Sequence, residues 1–268
     1  MTQHPSPHVP GRTLRAVVLL AQEPGSLAEV LEGFFPDAAA AVAGSPQRQL
    51  SVNANGIPMT FELGEGPIVA SELDYAVSQS LLRTRVQHAV ARHRRHLILS
   101  ADDATTVFSA SKLLSNIAAT YADGPDGLAV WLPDADYVTT DVMYAGDVER
   151  RPALTWFNTM AASLDATTAL AHTIGVRHLG GWDVQLRSST LTPAQAHQEL
   201  RAAVATILEG EELPEPGAAV VIAGQPHVLT PAPSVLGLGD VLDAVATTVP
   251  APALEADKPK RKGWFVRK

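Results

Sequence analysis

Residues 48–54 and 57–63 are short runs of alternating apolar and polar residues, and the dipeptide between them is Asn55-Gly56. A tight two-residue turn needs positive φ at both positions, which asparagine and glycine adopt at the lowest cost, so the pair predicts a β-hairpin. A hairpin commits the chain to antiparallel pairing and excludes an all-parallel sheet.

The flanking segments extend this pattern. Residues 13–21 (TLRAVVLLA) read as a buried strand, and Ser26 with Glu29 three residues on has capping-box spacing. Leu27, Val30, Leu31 and Phe34 share one face of the helix that follows. Ser71 opens a helix predicted to reach about Arg92, with Leu73, Val77, Leu81, Leu82, Val86 and Val90 as its stripe. A strand at 96–100, a helix at 104–121 and a strand at 128–132 complete a β-α-β-β-α-β-α-β order. The fold class is therefore α+β. Its N-terminal half follows the ferredoxin-like βαββαβ order, an antiparallel or mixed sheet with helices on one face. Further on, 152–164 and 182–188 are strand candidates, and Thr192, Pro193 and Gln195 start a helix that Gly210 ends. A short hairpin is expected around Gly224-Gln225, then a helix or irregular segment at 238–249. The chain divides into a flexible lead (1–11), one α+β domain (12–249) or two subdomains meeting near 145–152, and a linker with a basic tail (250–268).

Composition narrows the function classes. The 268 residues include no cysteine, which excludes a disulfide framework, a thiol nucleophile and a thiolate zinc site. Apolar residues at 46% against 18% charged mark a globular chain, and the alanine, arginine and proline bias suggests a GC-rich bacterial genome. No basic segment followed by an apolar one opens the chain, and no run is long enough to span a membrane, so a cytoplasmic location is expected. The net charge of −8 is unevenly placed: six of the 20 basic residues fall within 258–268, leaving fourteen against 28 acids in the rest. The body repels nucleic acid and only the tail attracts a polyanion.

Four strings carry a likeness to a known family: HRRHLIL at 93–99, ASKLLSNIAA at 110–119, LAVWLP at 128–133 and HTIGVRHLGGWDVQL at 172–186. This middle part of the chain resembles an uncharacterised bacterial family, domain of unknown function 4261. In that family's pattern a T-x-G-x-x-x-x-G segment leads into an acidic strand, and Thr173, Gly175, Gly180 and Asp183 stand near those positions. The likeness leaves out the extended N-terminus and the basic tail. It implies an α+β fold and brings no activity with it.

Three regions offer chemistry. Arg92, His93, Arg94, Arg95 and His96 crowd a helix-to-strand junction. They read as an anion site, or as cations that complement a helix C-terminus. Adjacent guanidinium charges disfavour a metal, and no metal or cofactor is expected. His172, His178 and Asp183 lie around glycines and Trp182. They are the candidates for a general base and its partners in a small hydrolase or ligand-binding enzyme. The competing reading is a tight connection into a core strand. Asp134, Asp136 and Asp141 lack the Ca²⁺-loop pattern and read as a solvated loop. The tail joins Lys260, Arg261, Lys262 and Arg267 to Trp264 and Phe265. That combination suits docking to a partner protein, and less well to nucleic acid or an anionic membrane surface. The favoured expectation is a non-enzymatic interaction or regulatory protein whose tail reaches a partner.

Overall fold

The computed structural model describes residues 13–22, 25–102 and 107–247; the lead and the basic tail lie outside the described residues. The first part contains β1 (Thr13–Leu20), α1 (Leu27–Glu32), α2 (Pro36–Val42), β2 (Gln49–Ala54), β3 (Ile57–Gly64), α3 (Ala70–Ser78), α4 (Arg83–Arg92), β4 (Arg95–Asp102), α5 (Val107–Ala122), β5 (Gly127–Leu132), β6 (Tyr137–Thr140) and α6 (Asp141–Arg150). The second contains β7 (Asn158–Ser163), β8 (Ala169–Ile174), β9 (Val184–Ser188), α7 (Pro193–Glu209), β10 (Ala219–Ile222), β11 (Gln225–Pro233) and β12 (Asp240–Ala246). The class is α+β, with two six-stranded sheets in the orders β2-β3-β4-β1-β5-β6 and β10-β11-β12-β9-β8-β7. The first sheet is antiparallel, and the second is mixed through its parallel β9–β12 pair.

The predicted hairpin joins β2 to β3. Asn55 (φ 54°) and Gly56 (φ 88°) hold the turn, and the Asn53 carboxamide oxygen accepts the Gly56 N–H at 2.7 Å. The βαββαβ order runs along the chain, while in space β4 lies between β3 and β1. Helices cover the first sheet on both faces, not one. Leu14, Ala16, Val18 and Leu20 of β1 pack into a cluster with α1, α2 and α5. Val17 and Leu19 turn the other way, onto Leu73, Ala76 and Val77 of α3 and Val86 and Ala89 of α4. Strand side chains alternate faces, so the unbroken VVLL run requires cover on both sides. The larger cluster continues through α7 to Ala169, Ala171, Val184, Leu186, Leu242 and Ala244 of the second sheet.

Several expected elements are corrected. The single helix over 71–92 is two helices, α3 and α4, and α3 begins at Ala70 behind Val69, which makes no side-chain cap. The break swings Leu81 outward, 65% exposed, and lets the stripes on either side both face β1. The segment after Leu238 is the interior strand β12 and not a helix. The strand expected from 152 starts at Asn158, after a 3-10 turn over Pro152–Thr155. Asp141 opens α6, whose first turn is capped by the Thr140 hydroxyl. The capping box at Thr192 and Gln195 is present, with Pro193 at the first helical position.

Candidate functional site

The segment from His172 to Asp183 is the connection between β8 and β9, and its local structure explains its residues. Thr173 and Asp183 stand at the two strand ends. The Thr173 hydroxyl donates to Asp183 Oδ1 at 3.2 Å and accepts the Val184 N–H at 2.8 Å. Asp183 Oδ1 also accepts the Val176 N–H at 3.1 Å, and Arg177 Nε lies 3.3 Å from Oδ2. Between them, Gly175 (φ 108°) and Gly180 (φ 95°) bracket a 3-10 turn over Val176–Leu179. Gly175 also lies against the turn at 133–135: a Cβ there would sit 3.0 Å from that of Ala135. Thr173, Gly175, Gly180 and Asp183 thus close one self-contained turn. Burial raises the Asp183 carboxyl to about 6, against the lowering effects of Arg177, the Val176 N–H and the Thr173 hydroxyl.

The three catalytic candidates do not converge. His172 and Thr173 are adjacent in β8 and so project from opposite faces of the sheet. On its face, His172 is 1% exposed, with Nδ1 2.5 Å from the Thr173 carbonyl oxygen and Nε2 3.0 Å from Ser234 Oγ. With Nδ1–H donating to that carbonyl, Nε2 is left to accept the Ser234 hydroxyl. Burial lowers the His172 pKa, the Thr173 carbonyl opposes, and Arg177 adds to the lowering. Gln185, directly across from His172, accepts the Val235 N–H at 3.0 Å and reaches the Pro233 carbonyl at 3.4 Å. The two side chains hold the 233–239 loop to the sheet. His178 is exposed and its Nδ1 lies 3.8 Å from Asp134, whose carboxylate also binds Arg15. Asp134 therefore ties β1 to the turn after β5, where a solvated loop was expected.

The basic junction is divided as well. His93 is 3% exposed; its Nε2 accepts the Ile68 N–H at 2.8 Å, and Nδ1 faces the Val90 carbonyl oxygen. It fastens the entry of α3 to the end of α4. His96 pairs across the sheet with Gly64, and Nδ1 lies 3.2 Å from the Gly66 carbonyl oxygen. The missing side chain at Gly64 makes room for its ring, since a Cβ there would meet His96 Nε2 at 1.9 Å. Burial lowers the His96 pKa. Arg92 points outward into a recess of about 260 Å³ shared with Arg85, His88 and Asp141. Arg94 is exposed, and Arg95 lies in β4. Among the described residues no group of three or more His, Asp or Glu side chains is placed to hold a metal ion.

A further cleft was not foreseen. It has a volume of about 540 Å³ and lies between α7, β7 and the α3–α4 connection. One stripe of α7, opposite its apolar face, contributes Ala194, His197, Gln198, Arg201 and Ala202. Thr159, Met160 and Ala161 come from β7, and Gln79 and Leu81 from the break between the helices. Arg151 is gripped by Glu209 at 2.8 Å and Arg201 by Asp147 at 2.8 Å. Burial lowers the His197 pKa, and Arg201 lowers it further. The only sequence signal for this site was the polar face of α7, which any surface helix shows. No protein-family model, curated protein or solved structure matches this chain.

Proposed function

We propose that this chain is a non-enzymatic interaction or regulatory protein of the cytoplasm, and that its C-terminal segment docks onto a partner protein. The observation that carries this reading is the dispersal of His172, His178 and Asp183: each is committed to a different structural contact, and no two share a site. The docking chemistry comes from the tail, where Lys260, Arg261, Lys262 and Arg267 accompany Trp264 and Phe265 on an otherwise acidic chain. Burying the two aromatic side chains contributes about 3–6 kcal/mol before ordering costs. Ordering the backbone removes about 1–2 kcal/mol per residue, which leaves a weak, reversible contact. Deleting residues 258–268 is expected to leave the melting temperature essentially unchanged and to abolish recovery of the partner in a pull-down. A Trp264→Ala/Phe265→Ala double variant is expected to weaken recovery while keeping the charge. Unfolding of the truncated chain, or equal capture by it, overturns the docking role.

One observation favours a hydrolase instead, the 3.0 Å contact between Ser234 and His172. Its geometry suits a fastening better than a nucleophile. Ser234 is 9% exposed, and its Oγ also accepts the Leu236 N–H at 3.1 Å. A fluorophosphonate reagent, which labels activated serines, is expected to leave Ser234 unmodified by mass spectrometry. Stoichiometric labelling lost in His172→Ala would establish the enzyme.

A further inference from the structure

We propose that the recess between α4 and the start of α6 binds the phosphomonoester group of a small molecule, held by Arg85, His88 and Arg92. The three residues follow one another at spacings of three and four along α4, so they share one stripe of the helix. Val86, Ala89 and Val90 pack the adjoining face onto the first sheet, which keeps the basic stripe at the surface with all three residues exposed. The recess, of about 260 Å³, has these side chains on one wall, Ala89 and Leu128 beside them, and Thr140, Asp141 and Val142 on the other.

The charge of this stripe is not consumed inside the protein. Arg15, Lys112, Arg151, Arg187 and Arg201 each meet a carboxylate. Among the described residues, the side chains of Arg85, His88 and Arg92 make no such pair and no hydrogen bond. α4 contains no acid, so neither arginine has a carboxylate three or four residues away within the helix. Arg83 and Arg85 stand in its first turn, where the helix dipole favours acids over cations. In a chain with 28 acids against 20 lysines and arginines, helix stability therefore does not account for these side chains, and an external anion does. The lining has one acid, Asp141, which forms no ion pair with either arginine. Two guanidinium groups and an imidazole thus face a single carboxylate, and their chemistry selects the ligand. Arginine binds oxyanions through paired N–H donors. A phosphomonoester ends in three acceptor oxygens, one for each of the three side chains, and carries up to two negative charges, where a carboxylate has two oxygens and one charge. Arg85 and Arg92 are two turns apart, about 10 Å along the axis, a span that two long side chains close around one phosphate with His88 between them. Leu128 and Val142, the latter 71% exposed, leave apolar surface for the organic part. At about 260 Å³ the recess lies just below the roughly 300–1,000 Å³ of drug-sized pockets, which keeps that part small.

Isotope-labelled full-length protein would be titrated with phenyl phosphate, inorganic phosphate and benzoate and followed by NMR. Saturable shifts are expected at the amides of Ala89, Arg92 and Val142, with phenyl phosphate binding more tightly than inorganic phosphate and about tenfold more tightly than benzoate. Arg85→Gln and Arg92→Gln are each expected to weaken phenyl phosphate binding about tenfold, a loss of about 1.4 kcal/mol. Both side chains are exposed, so the melting temperature should stay where it is. Asp141→Asn is expected to tighten binding, a gain that damage to the fold cannot produce. No saturable shift overturns the proposal, and so does equal binding of benzoate, unchanged binding in the arginine variants, or weaker binding in Asp141→Asn. Inorganic phosphate binding as tightly as phenyl phosphate would overturn the assignment of an ester. A single-stranded oligonucleotide that displaces phenyl phosphate at far lower concentration would make a polyanion the occupant and overturn it too. Deleting residues 258–268 should leave phenyl phosphate binding intact, so that the α4 recess and the tail fail separately; loss of the shifts on that deletion would place the phosphate on the tail and overturn the proposal.

Discussion

Substituting Asp183 by alanine is expected to lower the unfolding free energy near pH 4.5, where the folded carboxyl is neutral, by about 2–4 kcal/mol, because the Thr173 hydroxyl and the Val176 N–H lose their shared buried acceptor. Asp183→Asn keeps an oxygen for both and removes the charge, so it separates hydrogen bonding from ionisation. The folded carboxyl titrates at about 6 against an ordinary 3.8, so over that interval the folded state holds more protons than the unfolded one. Stability linked to this group is therefore present below the unfolded value and is lost as pH rises from about 4 to about 6, a change of about 3 kcal/mol. Urea unfolding at pH 4.5 and pH 7 should show wild type losing about two-thirds of this increment, about 2 kcal/mol, relative to Asp183→Asn. A difference between the two proteins that does not change with pH would mean that burial does not perturb Asp183. A catalytic role predicts lost activity with retained stability in Asp183→Asn, the opposite pattern.

What could be read from the sequence divides by range. The Asn55-Gly56 hairpin, the Thr192 capping box and the apolar stripe of α5 were legible because each is decided within a few residues. The break between α3 and α4 was not, since Gln79-Ser80-Leu81-Leu82 contains neither glycine nor proline. It arises because two short stripes must both meet Val17 and Leu19. β12 was missed for a related reason. Asp243 interrupts its apolar run, and that carboxylate is tolerated at 5% exposure because Arg187 of β9 reaches it from the neighbouring strand. Spatial strand order depends on pairings such as Leu97 with Val18, about eighty residues apart, for which local pattern carries no signal.

The sites follow the same rule. The resemblance to a family pattern drew Thr173, Gly175, Gly180 and Asp183 together, and the structure uses them to close one tight turn. His172 lies in β8, a strand the sequence reading did not place, and its side chain leaves the sheet on the face opposite Thr173, which binds Asp183. The β7 cleft was invisible in sequence. Its walls come from four separate stretches that only the fold brings together.

His172→Ala should cost about 2–4 kcal/mol, the usual range for emptying a fully buried side-chain site, with the Ser234 hydroxyl left unpaired in addition. The loss has a local address. Ser234 Oγ receives the Leu236 N–H and the Ser234 carbonyl receives the Gly237 N–H, so releasing Ser234 loosens both amides. Hydrogen exchange should therefore accelerate at Leu236 and Gly237 beyond the increase seen across β1 and α5. Acid should act in the same direction on wild type. The His172 pKa is lowered from 6.5 by burial, so the unfolded chain takes up this proton first and the linked stability falls as pH drops below 6.5. That slope opposes the one from Asp183, and comparing each variant with wild type separates them: His172→Ala should flatten the acid loss, and Asp183→Asn should deepen it. The loop so released carries Val235, Leu236 and Leu238, already 42%, 37% and 45% exposed, and its opening would enlarge that apolar surface. Uniform acceleration of exchange throughout the second sheet would show instead that His172 supports the sheet as a whole and has no special hold on the loop.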